Sequence, residues 1–130
     1  MVALFILLAG GIVTTILFWF GAGFLVRLAG GREFAEATLA LKILSLGFVL
    51  FYLSALTMWL LVVFDKQFWL IVVYGVGSVF NLLINLALIP TFGYLAAAVT
   101  TGLSELVIFV MSALLVVRFF RSLFRINNKW

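Results

Sequence analysis

The sequence predicts an all-α membrane protein with four transmembrane helices. Of its 130 residues, 68% are hydrophobic and 9% are charged, and the mean hydropathy is +1.42. In a soluble domain about a quarter of the residues are charged. The apolar runs reach the ~20 residues that a membrane helix needs, and they lack the polar–apolar alternation of a transmembrane strand. Helices are therefore expected, because they satisfy the backbone within each span.

Charged and turn residues divide the chain into four spans and a tail. The predicted spans cover about residues 2–26, 39–64, 68–89 and 94–117, and a basic tail covers 118–130. The first span ends at Arg27, and the second ends at Asp65. Pro90 is predicted to end the third, because proline cannot continue the backbone hydrogen-bond ladder. The first span is predicted to be a membrane helix and not a signal peptide, since no basic residue precedes it and it exceeds the about 7–15 apolar residues of a signal sequence.

The distribution of basic residues predicts the orientation in the membrane. Four spans place both termini and the turn between the second and third spans on one side. That side has five basic residues (Lys66, Arg118, Arg121, Arg125, Lys129), and the other side has three (Arg27, Arg32, Lys42). Cytoplasmic flanks have an excess of Lys and Arg. Both termini are therefore expected in the cytoplasm, in a multi-pass protein of the inner (plasma) membrane.

The composition also excludes several kinds of chemistry. The chain has no cysteine and no histidine, which rules out disulfides, thiolate nucleophiles and Cys/His zinc sites. We expect no catalytic residues, no metal site and no cofactor, because nothing pairs with Glu105 to make an acid/base couple. The net charge of +4 is not gathered into a groove-sized basic patch, so nucleic acid is not an expected partner.

Glu105 is the most informative residue of the sequence, because it is the one carboxylate inside a predicted span. It lies near the middle of the fourth span, where a charged group costs about 2.5 to 17 kcal/mol depending on the reference system. Such residues usually face a protein interior or a wet cavity. At 100° per residue, Glu105 shares a small and polar face of about 160° with Thr101 and Ser104. Threonine and alanine on this face suit helix packing, whereas packing gives no reason to bury a carboxylate.

The third span repeats this arrangement. Ser78, Asn81 and Asn85 share an arc of about 100°. Such amides either line a cavity or join helices by hydrogen bonds worth about 0.6 kcal/mol, and both interpretations stay open. The short turn makes the third and fourth spans antiparallel neighbours, with Ser78 and Glu105 at similar depth. Glu105 is therefore predicted to face neighbouring helices and to lie close to Asn81 or Ser78, either of which would be its natural hydrogen-bond partner. Lys42 is an alternative partner, but it is expected to extend to the interface.

These polar groups form the candidate site. The residues predicted to line a substrate or ion pathway are Glu105, Asn81, Asn85, Ser78 and Thr101. The first span adds Gly10, Gly11, Thr14 and Thr15, a place where backbones can approach or bend.

The segment 81–105 resembles a known family. Its pattern is asparagine at 81 and 85, Leu-Ile-Pro at 88–90, a glycine turn at 93, three alanines at 96–98, threonine at 100 and 101, and Ser-Glu at 104–105. This pattern is similar to the C-terminal region of polysaccharide flippases, which belong to the multidrug/oligosaccharidyl-lipid/polysaccharide exporter superfamily. The segment from Phe20 to Leu44 resembles the helix pair that precedes it there. The family often has a second glycine where Ala96 stands and a basic residue where Thr91 stands, so the likeness is to the superfamily and not to one subfamily.

The resemblance implies a transport function within a larger protein. The family moves lipid-linked oligosaccharides across the inner membrane by alternating access, using twelve or more helices in two lobes. This chain would correspond to the last four, as a fragment or a truncated product. The implied partners are the lipid bilayer, a lipid-linked sugar substrate and the missing N-terminal helices.

Three other interpretations have to be weighed against this one. A drug/cation antiporter of the same superfamily would use Glu105 to couple an ion. A complete four-helix small multidrug transporter is disfavoured, because that family has its key carboxylate in the first helix and this chain has none there. A non-transporting membrane scaffold would use Asn81, Asn85 and Glu105 only to tie helices together.

The predicted topology can be tested with single cysteines in this cysteine-free chain. Cysteines placed at Asn128 and at Gly31 should react with a membrane-impermeant thiol reagent from opposite sides of the membrane, because three spans, an odd number, separate the first turn from the C-terminus. Reaction of both positions from the same side would contradict the four-span topology.

Overall fold

The structure, a computed structural model, describes residues 2–127 of the chain and the side chains of residues 2–122. The elements in chain order are α1 (Val2–Gly30), a 3-10 turn (Arg32–Phe34), α2 (Ala37–Leu46), α3 (Phe48–Val63), α4 (Phe68–Phe92) and α5 (Tyr94–Asn127). No strand occurs within residues 2–127, and the all-helical prediction is confirmed for this part of the chain.

Three of these helices are long and apolar enough to cross a membrane: α1, α4 and α5 over its Tyr94–Ser122 part. The shorter helices α2 and α3 meet at a bend of 41°, and they make a fourth span if the bent pair crosses as one. Large apolar side chains cover the outside, with Phe5 75% and Phe20 82% exposed. So much exposed apolar surface is typical of a protein whose helices are surrounded by lipid.

The third span is predicted to end at Ile89, before Pro90, and this boundary is wrong by three residues, because α4 continues to Phe92. Proline lacks the backbone N–H that would bond one turn back, so the missing hydrogen bond lies inside the helix. The residues after Pro90 can therefore still complete the last turn. The Gly93 N–H bonds the Ile89 carbonyl at 2.8 Å. Gly93 has a φ of 63°, a left-handed conformation that suits glycine, and the helix ends there.

Other boundaries also differ from the prediction. The second span is not one straight helix over 39–64, because it is broken at Gly47 between α2 and α3. The first helix extends to Gly30, and α5 runs on through the start of the predicted tail to Asn127. Asn128, Lys129 and the side chain of Arg125, which entered the predicted topology, lie outside the described residues.

The α2–α3 pair packs between α1 on one side and α5 on the other, and α4 packs on α5. The α1 backbone comes close to α3 at Gly11, where an added Cβ would lie 3.0 Å from the Val49 Cα. This contact confirms that the glycines of the first span let backbones approach. The next turn of α1 continues the contact, since the Thr14 hydroxyl lies 3.2 Å from the Tyr52 hydroxyl.

The bend at Gly47 is held by its neighbours. The Gly47 N–H bonds the Leu44 carbonyl at 3.0 Å, three residues back, and the Phe51 N–H bonds the Gly47 carbonyl at 3.0 Å. The Ser45 carbonyl accepts a hydrogen bond of 2.9 Å from the Thr15 hydroxyl of α1. Hydroxyls of neighbouring helices commonly satisfy backbone groups at such breaks within a membrane. The bend is therefore a built feature of the packing and not a frayed helix end.

Contacts at the two ends of the helices fix their directions. The Tyr94 hydroxyl, at the start of α5, donates to the Glu36 carbonyl at 3.2 Å. At the other end of α5, the Lys66 ammonium lies 5.5 Å from the centre of the Phe119 ring. The turn between α3 and α4 therefore lies beside the C-terminal part of α5, as expected for four antiparallel spans.

A matched pair of glycines on α4 tests how tightly α4 and α5 pack. A Cβ at Gly77 would lie 2.6 Å from Ile108 of α5, whereas a Cβ at Gly75 would meet nothing within 4 Å. We expect Gly77→Leu to lower the free energy of unfolding by about 1–3 kcal/mol, because overpacking forces the helices apart. Gly75→Leu is the control and should change it little. Unfolding by denaturing detergent, followed by circular dichroism, measures both, and equal unfolding of the two variants would contradict the packing.

Candidate functional site

The candidate site is an open groove of about 270 Å³ between three helices. The face of α5 forms its floor, α4 borders one side and α3 borders the other. Its lining residues are Phe51 of α3, Gly77, Ser78 and Asn81 of α4, and Thr101, Ser104, Glu105 and Ile108 of α5. We call it the polar groove, because five of these eight side chains are polar or charged. Its volume has room for several water molecules at about 30 Å³ each.

The groove exists because α3 and α4 both pack on α5 but make few contacts with each other. At one end Gly77 brings the α4 backbone against Ile108. The two rims are accessible: Phe51 on α3 is 40% exposed and Ser78 on α4 is also exposed. The polar floor of α5 is therefore reached from the outside of the bundle between these two side chains.

Glu105 is 7% exposed and lies in the groove near the middle of the Tyr94–Ser122 span. The prediction that it faces neighbouring helices is thus confirmed by its burial. The predicted hydrogen bond to Asn81 or Ser78 is wrong, because Glu105 accepts no hydrogen bond from the side chains described in residues 2–122. Asn81 instead meets the residue before it, Ser104. A polar face of about 160° cannot distinguish two neighbours that differ by 100° around the helix.

A chain of hydrogen bonds runs beside Glu105 and joins α4 to α5. The Asn85 amide donates to the Asn81 side-chain oxygen at 2.9 Å, and the Asn81 amide donates to the Ser104 hydroxyl at 3.0 Å. The Ser104 hydroxyl in turn donates to the Thr100 carbonyl at 2.8 Å. Each member thus has a structural partner, and these hydrogen bonds join α4 to α5. Asn81 has both of the roles left open by the sequence, because it joins the helices and also lines the groove.

The structure brings four of the five predicted site residues to the groove: Glu105, Asn81, Ser78 and Thr101. The Thr101 hydroxyl also donates to the Ala97 carbonyl of its own helix at 2.8 Å. Asn85 lies outside the lining and reaches the groove only through Asn81. Its side-chain oxygen is buried without a partner in the described part of the chain.

Lys42, the alternative partner considered for Glu105, is engaged elsewhere. Its ammonium lies 5.6 Å from the centre of the Trp19 ring of α1, within the range of a cation–π contact. It therefore stays on the side of α2 that faces α1, away from the groove on α5.

Four lining residues were not among the predicted site residues: Phe51, Gly77, Ser104 and Ile108. Ser104 had a visible signal, because it lies next to Glu105 on the same polar face. No sequence signal marks Phe51, because its position at the groove depends on the bend at Gly47, one turn before it in the chain. Gly77 and Ile108 meet through the register of α4 on α5, and apolar periodicity does not determine that register.

A second polar contact joins α3 and α5 away from the groove. The Thr57 and Ser112 hydroxyls lie 2.7 Å apart, and both residues are buried. Ser54 and Thr100 are also buried, and their hydroxyls have no partner among the described residues. In the same residues, no group of three or more His, Cys, Asp or Glu side chains could hold a metal ion.

Comparisons with known proteins do not assign this arrangement to a class. No family model matches the chain, and no curated protein or solved structure matches it. The chemistry of the groove is therefore the basis on which we propose a function.

The contact between Asn81 and Ser104 can be measured with a double-mutant cycle. Asn81→Ala, Ser104→Ala and the double variant should give a coupling energy of about 0.6 kcal/mol, the mean for hydrogen bonds between membrane helices. The cycle of Asn81→Ala with Thr101→Ala is the matched control, because Thr101 bonds its own helix. Its coupling should be near zero. Equal coupling in both cycles, from unfolding in detergent, would refute the assigned bond.

Proposed function

We propose that the chain is the C-terminal part of a membrane transporter that moves lipid-linked oligosaccharide or polysaccharide precursors across the inner membrane. The support is threefold: the resemblance of the segment 81–105, the helices that are long and apolar enough to span a bilayer, and the polar groove at mid-span depth. In this proposal Glu105, with Asn81, Ser78 and Thr101 around it, belongs to the substrate or ion pathway, and Asn85 orients Asn81.

The burial of Glu105 is the observation on which the proposal rests. A carboxylate at mid-span costs at least about 2.5 kcal/mol, and such a cost needs a compensating role. The asparagines have structural partners across the helix interface. Glu105 accepts no hydrogen bond among the described residues, so helix packing does not explain it.

The shape of the groove supports a role within a larger transporter. It is bordered by helices on its floor and sides and is open between α3 and α4. An aqueous pathway needs a closed wall toward lipid, and further helices would supply that wall. The basic asymmetry of the chain, with five residues against three, supports cytoplasmic termini for this part of the protein.

Two other functions have a supporting observation of their own. The unpartnered carboxylate also suits a drug/cation antiporter, in which Glu105 would bind the coupling ion. The Asn85–Asn81–Ser104 chain suits a non-transporting scaffold, because it joins α4 to α5 without any ligand. The scaffold gives no role to Glu105, and for that reason we place it behind the two transport functions.

Substitution of Glu105 in the full-length protein separates these functions. Glu105→Gln keeps the size and hydrogen bonding of the side chain but removes its charge. We expect transport to fall about tenfold or more, which corresponds to a loss of about 1.4 kcal/mol of charge stabilisation, while protein levels stay near wild type. The measurement is complementation of a flippase-deficient strain, with protein levels checked in parallel.

Thr101→Ala is the control variant in the same groove. Its hydroxyl bonds the Ala97 carbonyl of its own helix, so its loss should be mild in both transport and expression. Full complementation by Glu105→Gln would leave Glu105 a structural role at most.

A further inference from the structure

The polar groove presents a carboxylate that no cation of the described chain reaches. Lys42 lies over Trp19, and Lys66 lies over Phe119. The described arginines lie close to the ends of the candidate membrane spans or outside them, at positions 27, 32, 118 and 121. Glu105 lies near the middle of its span, so a second copy of this chain would also bring its basic residues to the wrong depth.

We infer that the polar groove receives a further membrane helix that inserts a basic side chain and pairs its cation with Glu105. The groove opens sideways between α3 and α4, where lipid surrounds the bundle. A carboxylate buried at mid-span is stabilised most by an opposite charge with additional hydrogen bonds. Charge complementarity therefore selects a lysine or an arginine at mid-span depth of the incoming helix.

The lining of the groove suits such a cation. Lysine has three N–H donors and arginine has five, and neither has an acceptor. The groove offers the Glu105 carboxylate together with the oxygens of Asn81, Ser78 and Thr101 as acceptors. The Phe51 ring lies in the same lining, and aromatic rings attract cations within about 6 Å.

The α4 rim also allows the close approach of a helix. Ser78 is exposed beside the groove, and Gly75, three residues earlier, has open space around it. Small residues at a helix surface let a second backbone approach closely in a membrane. The exposed Phe51 and Ser78 would be covered by this contact. The inference goes beyond the proposed function, because such a helix would bind in a scaffold as well as in a transporter.

Synthetic membrane helices test this inference directly. The probe is a Leu/Ala peptide of about 20 residues with one lysine at its centre, and the matched control has leucine there. The full chain is reconstituted in vesicles of uncharged phosphatidylcholine, and energy transfer between labels on chain and peptide gives the Kd. We expect the lysine peptide to bind about tenfold more tightly than the leucine peptide, as for a hydrogen-bonded charge.

Variants of the chain then locate the contact. Glu105→Gln should abolish the tenfold preference, and Glu33→Gln, which removes an exposed carboxylate of the 3-10 turn, should leave it intact. Ser78→Leu keeps the charge but fills the rim, so it should weaken the binding of the lysine peptide even if Glu105→Gln folds poorly.

Three outcomes would overturn the inference. Equal binding of the lysine and leucine peptides to the wild-type chain would show that the groove has no preference for a cation. Retention of the preference in both Glu105→Gln and Ser78→Leu would place the contact elsewhere. Equal binding of a third peptide, with its lysine moved about two turns toward one end, would show that the cation is held at the membrane surface.

Discussion

The structure depends on hydrogen bonds between helices, because most polar side chains buried here find their partners within the protein. Hydrocarbon offers no hydrogen bonds, so each backbone or side-chain group left open costs several kcal/mol. The Thr15 hydroxyl satisfies the Ser45 carbonyl at the bend between α2 and α3. Asn81 and Ser104 join α4 to α5, and the Thr57–Ser112 pair joins α3 to α5. These contacts join neighbouring helices, whereas Glu105 accepts no side-chain hydrogen bond among the described residues.

The sequence predicts the helices well because their signal is local. Apolar runs of about 20 residues with charged ends identify spans whatever their neighbours are. The burial of Glu105 is predictable for the same reason, since a lone carboxylate in such a run has to avoid lipid. Its surroundings were less accessible to prediction. Whether Asn81 meets Ser104 or Glu105 depends on a rotation of 100°, and the position of Phe51 depends on a bend at Gly47 that lies within a continuous apolar run.

The polar residues of α4 and α5 divide into two groups that the sequence alone does not separate. Asn81, Asn85 and Ser104 form a connected chain in which each bond joins side chains or backbone of the described helices. That chain gives α4 and α5 a fixed register. Glu105 lies beside it and faces the opening. Because these neutral groups already join α4 to α5, Glu105 is not needed to hold the two helices together. A binding site needs such supporting contacts around the group that binds.

The bend at Gly47 has a mechanical consequence. A straight helix resists bending along its whole length, because every turn is closed by backbone bonds. At Gly47 the angle between α2 and α3 is set at one place, where two backbone bonds and the Thr15 hydroxyl hold the bend. Phe51 stands one turn beyond that bend on the rim of the groove. The position of Phe51 on the rim, and with it the width of the opening beside Glu105, therefore depends on the angle at which α2 and α3 meet.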